Sequence, residues 1–395
     1  MSFEIALSGI NAVNAELNTI SNNIANAGTY GFKSSRTNFA STYAGTQPTG
    51  VEVGSMTQSI DIGGGVLTTG RGMDASIQGR GFFVTKDTSG TMQYTRVGIF
   101  STNKDGFVVD SFGRKVQGYP MAPGSTVLGG MGDLTVPTGQ VAAQASTKTQ
   151  YVGNLSADWT APAVTPFDKA NAQSFNGSMV TVVYDSLGAQ HSLTQYFVKT
   201  GANQVTAHYT FDGADLATTT TLNFGTDGQL TAPAAPVALA LGTPTGAAAL
   251  SVNMDYTGTT QFAGQATTTV NATDGYASGT LTGVQLSEDG SVMAQYSNGQ
   301  KQSVGKIALA TFPDENALVP ISDTSWTTSV DSGAPLFFTP GTGMAGKLTA
   351  GALEQSNVDM TAQLVNMMSA QRNYQANTKV ISTENELMQA LMQAV

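Results

Sequence analysis

The chain has no cysteine. Disulfides, zinc–thiolate sites, iron–sulfur clusters and thiol nucleophiles are excluded together, and the protein is indifferent to the redox state of its compartment. Charge is scarce as well, at 11% of residues, with 17 Lys plus Arg against 27 Asp plus Glu and a net charge of −10. Nucleic-acid binding needs clustered cations to replace counterions, and no basic run exists, so no nucleic-acid partner is expected. Long apolar runs are missing too. A membrane helix requires roughly 20 consecutive apolar residues, and clusters such as Val237-Ala-Leu-Ala-Leu241 fall far short, so no membrane insertion is expected. No Lys or Arg precedes Lys33 and no continuous apolar core follows Met1, so a cleaved Sec-type leader is not expected.

What is present is apolar content of 40%, enough to build cores, and 45 glycines among abundant Thr, Ser, Ala, Asn and Gln. That composition describes a β-rich chain with many turns. At 395 residues the chain exceeds one compact core, and two to four domains are expected.

The two ends share one pattern. Phe3, Ala6, Ile10, Val13, Leu17, Ile20 and Ile24 alternate in steps of three and four, the seam of a coiled-coil-like helix, with Leu7 widening the stripe. The C-terminus repeats the theme with Met360, Met367, Tyr374, Ile381, Met388 and Val395 at every seventh position, flanked by Leu364 and Met392. Gln371, Thr378 and Asn385 interrupt the second seam position, which makes this seam wetter. Asp359 is placed to cap the helix, and the helix is predicted to run to the end of the chain. A helix with so thin a stripe is marginal in isolation, so contacts from neighbouring subunits are expected to complete it.

Between the ends the period changes to that of strands: Phe82–Val84, Gln93-Tyr94, Phe107–Val109, Ser178–Tyr184, Gln190–Lys199, Ser291–Tyr296 and Lys306–Phe312. Asp105-Gly106 and Asp185-Ser-Leu-Gly188 punctuate them as turns. From about 201 to 275 the chain is heavy in Thr, Ala and Gly, which suits an exposed second β domain more than a dense core. The expected fold class is multidomain α+β, predominantly β, with paired terminal helices and two β-rich domains, the outer inserted in the inner. The boundaries are 1–30 with 358–395 for the helical part, 31–70 as connecting segment, 71–147 with 276–357 for the inner β domain, and 148–275 for the outer.

Candidate chemistry is thin. The two histidines, His191 and His208, lie in strand-like segments, and Asp185, Ser186 and His191 share one hairpin turn rather than a strained nucleophile elbow. Gly63-Gly-Gly65 and Thr69-Gly-Arg-Gly72 lack the Gly-Lys-Ser/Thr of a phosphate loop and read as structural turns. The Asn-x-Ser/Thr triplets at Asn154, Asn176 and Asn271 read as coincidences of an Asn- and Thr-rich chain. No catalytic, cofactor-binding or metal-binding residue is assigned, and no cofactor.

Several stretches together are specific. They are Leu7-Ser-Gly-Ile-Asn-Ala, Ile20-Ser-Asn-Asn-Ile-Ala-Asn26, Gly28-Thr-Tyr-Gly-Phe-Lys33, Thr69-Gly-Arg-Gly-Met-Asp74, Ile77-Gln-Gly-Arg-Gly-Phe-Phe83, Val182-Val-Tyr-Asp-Ser-Leu-Gly188, Tyr196-Phe-Val-Lys199, Leu348–Asp359 and Ala370-Gln-Arg-Asn-Tyr-Gln375. Through them nearly the whole chain resembles the bacterial flagellar axial family of rod, hook and filament proteins, and within it the hook proteins. Tyr30 and the large insertion between 148 and 275 favour hook over rod; Met73 stands where many relatives carry Leu. The resemblance implies a structural, non-enzymatic subunit that self-assembles into a curved, flexible extracellular tube, the universal joint between motor and filament. It implies export through the flagellar type III apparatus, and a cap protein, the distal rod protein and the hook–filament junction protein as partners. A distal rod protein is the alternative within the family, and a secreted β-rich hydrolase or adhesin the alternative outside it. The terminal seams become assembly surfaces lining the inner tube. Asn26, Gly28, Tyr30, Gly31 and Phe32 become a connector, with Gly28 at the left-handed position after the helix and Gly28 and Gly31 as pivots.

Overall fold

The computed structural model describes every residue except Met1, Pro123, Gly124, Thr126 and Val395, so the last of the predicted sevens lies outside the described residues. The chain is predominantly β with a helix at each end. It divides into two compact units, 1–138 with 282–295 and 301–395, and 139–281 with 296–300. The sequence-based limits at 148 and 275 both fall within the second unit. Among the described residues no helix is long and apolar enough to cross a membrane.

In the first unit, helix α1 spans Ser2–Ala25 and helix α2 spans Met360–Ala394. Asp359 caps α2 as expected: its Oδ1 accepts the amides of Thr361 at 2.9 Å and Ala362 at 3.1 Å. The stretch read as connector contains a long antiparallel hairpin, β1 (Ser35–Ala44) and β2 (Gln47–Gln58), with two register shifts. No period-two apolar pattern announces it, because most β2 residues are exposed on both faces.

After the hairpin, Val66–Thr68 pairs with Ala352–Glu354 and Ala75–Gln78 pairs with Lys347–Ala350, so the chain leaving the hairpin is zipped to the chain entering α2. A larger sheet follows, in which Phe82–Lys86 pairs with Met92–Thr95, Lys115–Pro120 and Leu309–Thr311. Its core holds Ile60, Phe82, Val84, Tyr94, Phe312 and Trp326, with Tyr94 edge-on to Phe312 at 4.8 Å.

In the second unit, five strands run in sequential antiparallel order, Gly177–Tyr184, Gln190–Gly201, Gln204–Phe211, Ala214–Phe224 and Leu230–Ala232. A four-stranded sheet, ordered Val237–Gly242, Leu250–Asp255, Lys148–Asn154, Thr267–Thr273, includes one parallel pairing. The Asn271 side chain bridges the two sheets in place of a backbone ladder: its Nδ2 donates to Val180 O at 2.8 Å, and its Oδ1 accepts from Thr181 Oγ1 at 2.6 Å.

The loose packing expected for 201–275 is not what forms. Val205, Tyr209, Leu222, Leu239, Val252, Met254 and Tyr256 are all buried in one core. The composition misleads because the small and polar residues alternate outward. In Val237–Gly242 Leu239 and Leu241 point in while Ala238 and Ala240 are exposed, and in Leu250–Asp255 the same alternation holds.

Candidate assembly interface

The terminal helices meet over a short apolar seam. Val13 and Ile20 are buried, Leu17 and Ile24 pack beside them, and Met367 and Ala370 close the seam from α2. Small residues bring the helices together: a Cβ on Gly9 would stand 2.9 Å from Asn377 Nδ2. The hairpin is fastened to α1 by hydroxyl and amide groups. Ser8 Oγ accepts the Val51 amide at 3.2 Å, and a Cβ on Gly50 would collide with that hydroxyl. Thr19 Oγ1 and Thr37 Oγ1 are 2.8 Å apart. The buried Asn23 side chain exchanges two bonds with Ser35, accepting from its N–H at 2.9 Å and donating to its carbonyl at 2.8 Å. It thereby acts as an extra rung at the head of β1 and satisfies backbone groups that would otherwise be orphaned.

The other predicted seam residues are less covered. Ile10 and Ile381 are half-buried, while Phe3, Leu7, Met360, Leu364, Tyr374, Met388 and Met392 are exposed in the single chain. On α2 the covered stripe runs Gln363, Met367, Ala370, Asn377, Ile381: Met367 and Ile381 hold predicted seventh positions, while the second position falls at Gln363, Ala370 and Asn377, one residue before Leu364, Gln371 and Thr378. The frame slipped because α2 carries apolar residues on more than one face: Leu364, Val365, Met368, Val380, Leu387 and Leu391 are all exposed. Ser8, Gly9, Asn23, Ala370 and Asn377 lie outside both predicted seams, because apolar periodicity marks large side chains and these act by being small or by substituting for backbone.

The connector is clamped. α1 ends in turns whose groups Asn26 satisfies itself, its Nδ2 donating to Asn22 O at 2.9 Å and its Oδ1 accepting from Thr29 Oγ1 at 3.1 Å. Gly28 is therefore not in the left-handed conformation expected of it; that conformation falls to Gly31, at φ 68°. Gly31 also donates to Glu354 O at 2.8 Å, and a Cβ there would stand 3.0 Å from the Arg96 carbonyl carbon. Tyr30 and Phe32 are half-buried. Gly31→Ala is expected to cost about 1–2 kcal/mol through backbone strain and that contact, read as a lower denaturation midpoint of the first unit, whereas Gly28→Ala leaves the midpoint within about 0.5 kcal/mol.

Directly behind Gly31 lies a buried charge cluster that pattern reading missed. Lys33 Nζ sits 2.6 Å from Glu354 Oε1 and donates to Ile62 O at 2.7 Å. Arg96 Nη1 lies 3.3 Å from Glu354 Oε2, and Arg96 Nη2 donates to Gly79 O at 2.9 Å. Gly64 N–H adds a further bond to Glu354 Oε1 at 3.1 Å, which gives the Gly63–Gly65 turn its role. All three charged side chains are at most 3% exposed. Burial pulls the Lys33 ammonium below its ordinary value against the attraction of Glu354, and Arg96 likewise. Asn357 completes the clamp, accepting the Ser34 amide at 2.7 Å and donating to Ser59 O at 2.9 Å.

The residues that suggested chemistry are engaged otherwise. Ser186 Oγ accepts the Ala248 amide at 2.9 Å, and His191 faces Asp185 and Asp212. Asn154, Asn176 and Asn271 all hold structural hydrogen bonds.

Four stretches of the chain match known family models. Residues 3–33 match the flagella basal body rod protein family, 76–155 the D1 domain of the flagellar hook protein FlgE/F/G family, 154–276 the flagellar basal body protein FlaE D2 domain, and 349–394 the C-terminal family of the basal body rod FlgEFG proteins. The flagellar hook protein FlgE of Escherichia coli K12 is 38% identical, with 99% of each chain covered. This chain belongs to the flagellar hook protein family. The hook protein of Salmonella typhimurium is 39% identical with 99% of each chain covered, and that of Treponema pallidum 30% identical with 98% of this chain and 97% of its own covered. The crystal structure of Helicobacter pylori flagellar hook protein FlgE2 shares the fold, with a TM-score of 0.53 at 14% identity over 73% of this chain and all of that one. As a family member the chain is a polymeric component of the bacterial flagellum. Within the signatures of this hook-family chain, Ser8 and Asn23 fasten the hairpin to α1, Gly9 lets α2 approach α1, and Gly31 ties the connector to Glu354.

Proposed function

We propose that this chain is the structural subunit of the flagellar hook, polymerising into a curved flexible tube that transmits motor torque to the filament. The observation that carries the reading is the unfinished packing of the terminal helices. Within one chain α1 and α2 share a thin seam, and α2 still presents Leu364, Val365, Met368, Leu387 and Leu391, each about half exposed or more. A helix apolar on several faces belongs in a bundle larger than two. Further copies of this chain supply the missing faces, and because such a contact is head-to-tail it propagates without closing.

The clamped connector couples this inner helical layer to the β part of the same unit. The polar, Thr-rich outward faces of the second unit suit weak contacts that exchange as the tube bends. The protein acts as a structural element rather than an enzyme, leaves the cell through the flagellar type III apparatus, and meets the cap, distal rod and hook–filament junction proteins at the ends of the tube.

The double variant Leu364→Asp, Met368→Asp separates folding from assembly. Both side chains are half exposed in the single chain, so its melting is expected to stay within about 0.5 kcal/mol of wild type. Electron microscopy after a polymerisation trial should find tubes for wild type and none for the variant. Retained tube formation would sink the assignment of this face, and straight rigid wild-type tubes would favour the distal rod instead.

A further inference from the structure

Of the chain's two histidines, one stands between two carboxylates. His191 Nδ1 is 2.7 Å from Asp212 Oδ2, and His191 Nε2 is 3.3 Å from Asp185 Oδ2. The carboxylates belong to different turns of the second unit. Asp185 opens the turn between Gly177–Tyr184 and Gln190–Gly201, its Oδ1 accepting the amides of Leu187 at 2.8 Å and Ala189 at 2.9 Å. Asp212 lies in the turn between Gln204–Phe211 and Ala214–Phe224, held at φ 48°, with Oδ1 accepting the Ser192 amide at 2.8 Å. A neutral imidazole has one N–H and can donate to only one of them, while its other nitrogen turns a lone pair toward a carboxylate oxygen. Only the imidazolium donates to both.

We propose that His191 is a protonation-dependent latch that, as imidazolium, ties the 185–189 turn to the 212–213 turn and, on losing its proton, releases one of them. The contact released is the longer one, to Asp185, while Asp212 keeps the Nδ1–H. The groups facing the ring are those two aspartates and the Phe211 ring, 5.2 Å away. On the far side of the second turn Lys169 donates to Gly213 O and pairs with Asp215 at 3.1 Å, so its charge is already matched.

The electrostatics agree with the geometry. Burial opposes the cation, yet the bonds and charges of Asp212 and Asp185 outweigh it, and His191 is raised above its ordinary value while both aspartates are lowered. His208, stacked on Phe167 at 4.3 Å, is pulled down by burial. A histidine raised on folding contributes its full stabilisation below the ordinary value of about 6.5 and loses it as pH climbs through the raised value. The lowered aspartates set the other limit, losing theirs as pH falls through their folded values. The latch is closed between the two.

The test uses the full-length monomeric chain. Histidine-labelled NMR follows both imidazoles from about pH 4 to 9, spanning the ordinary carboxylate and imidazole ranges. Hydrogen exchange, corrected for intrinsic rate, follows peptides covering 185–192 and 210–215. His191 is expected to titrate above His208. Protection of the 185–189 turn should fall through that titration by roughly two- to fivefold, the range a partly exposed ion pair supports, and that of the 212–213 turn, which keeps its bond to Nδ1–H, should fall less. His191→Gln should flatten the pH dependence while the unit still melts cooperatively. The latch is overturned if His191 titrates at or below His208, if protection is unchanged across its titration, or if the fall persists in His191→Gln. Should that variant not fold, the wild-type titration and exchange decide alone.

Discussion

Glu354→Ala is expected to lower the stability of the first unit by about 3–5 kcal/mol, the usual result of removing one partner from a buried ion cluster. Among the described residues Glu354 is the only anion paired with both Lys33 and Arg96, and its Oε1 also accepts from Gly64 N–H. Truncation leaves two buried cations without their counter-charge, where the cost is desolvation rather than the lost attraction itself. The measurement is denaturant unfolding read by a first-unit signal such as the fluorescence of Trp326, which lies in that unit's core. A loss below about 1 kcal/mol would mean the cluster is hydrated and replaceable.

The triple change Lys33→Met, Arg96→Met, Glu354→Leu should recover most of the loss, because apolar groups of similar volume need no partners. The pH dependence has a definite sign. Lys33 is held below its ordinary 10.5 in the folded state, so the folded chain binds fewer protons, and stability rises as pH climbs from the folded value towards the ordinary one. Without Glu354 the folded value drops further, and the variant begins to regain stability at lower pH than wild type.

Ile20→Asp should undo the helix pair and abolish polymerisation. Ile20 is 5% exposed, packed in the small seam with Val13, Leu17, Met367 and Ala370. The change forfeits roughly 2 kcal/mol of apolar burial and places a carboxylate in an apolar contact, for a total of at least about 3 kcal/mol. A seam this small has little stability to spare. Helical circular dichroism at the termini should fall and protease cleavage within residues 2–30 should appear. The second unit should melt unchanged, since its core is composed of other residues. Tubes formed by Ile20→Asp would contradict the role given to the seam.

Several features were legible from local pattern. Asp359 stands where local pattern predicts the α2 cap, and it caps the helix. Ser291–Tyr296 was read as a strand and is one, with the same limits. Asp185-Ser-Leu-Gly188 was read as a turn, and Asp185 Oδ1 collects the amides that build it, with Gly188 at φ 86°. Each of these rests on residues within a few positions of one another. Gly28 is the exception. A glycine after a helix is a fair candidate for the left-handed position, but Asn26 closes the helix with its own side chain, and the need for positive φ moves to Gly31.

By itself the sequence determined the two terminal helices, the β character between them and, through its signature stretches, the family. These follow from periodicity and capping, which are properties of neighbouring residues. Only the tertiary structure decided which face of α2 meets α1, that a hairpin at 35–58 fastens to α1 through Ser8, Thr19 and Asn23, and that Lys33, Arg96 and Glu354 converge behind the connector. The reason is sequence distance. Lys33 and Glu354 are 321 positions apart, and a charge gains a buried partner only when the folding of everything between them brings the two together.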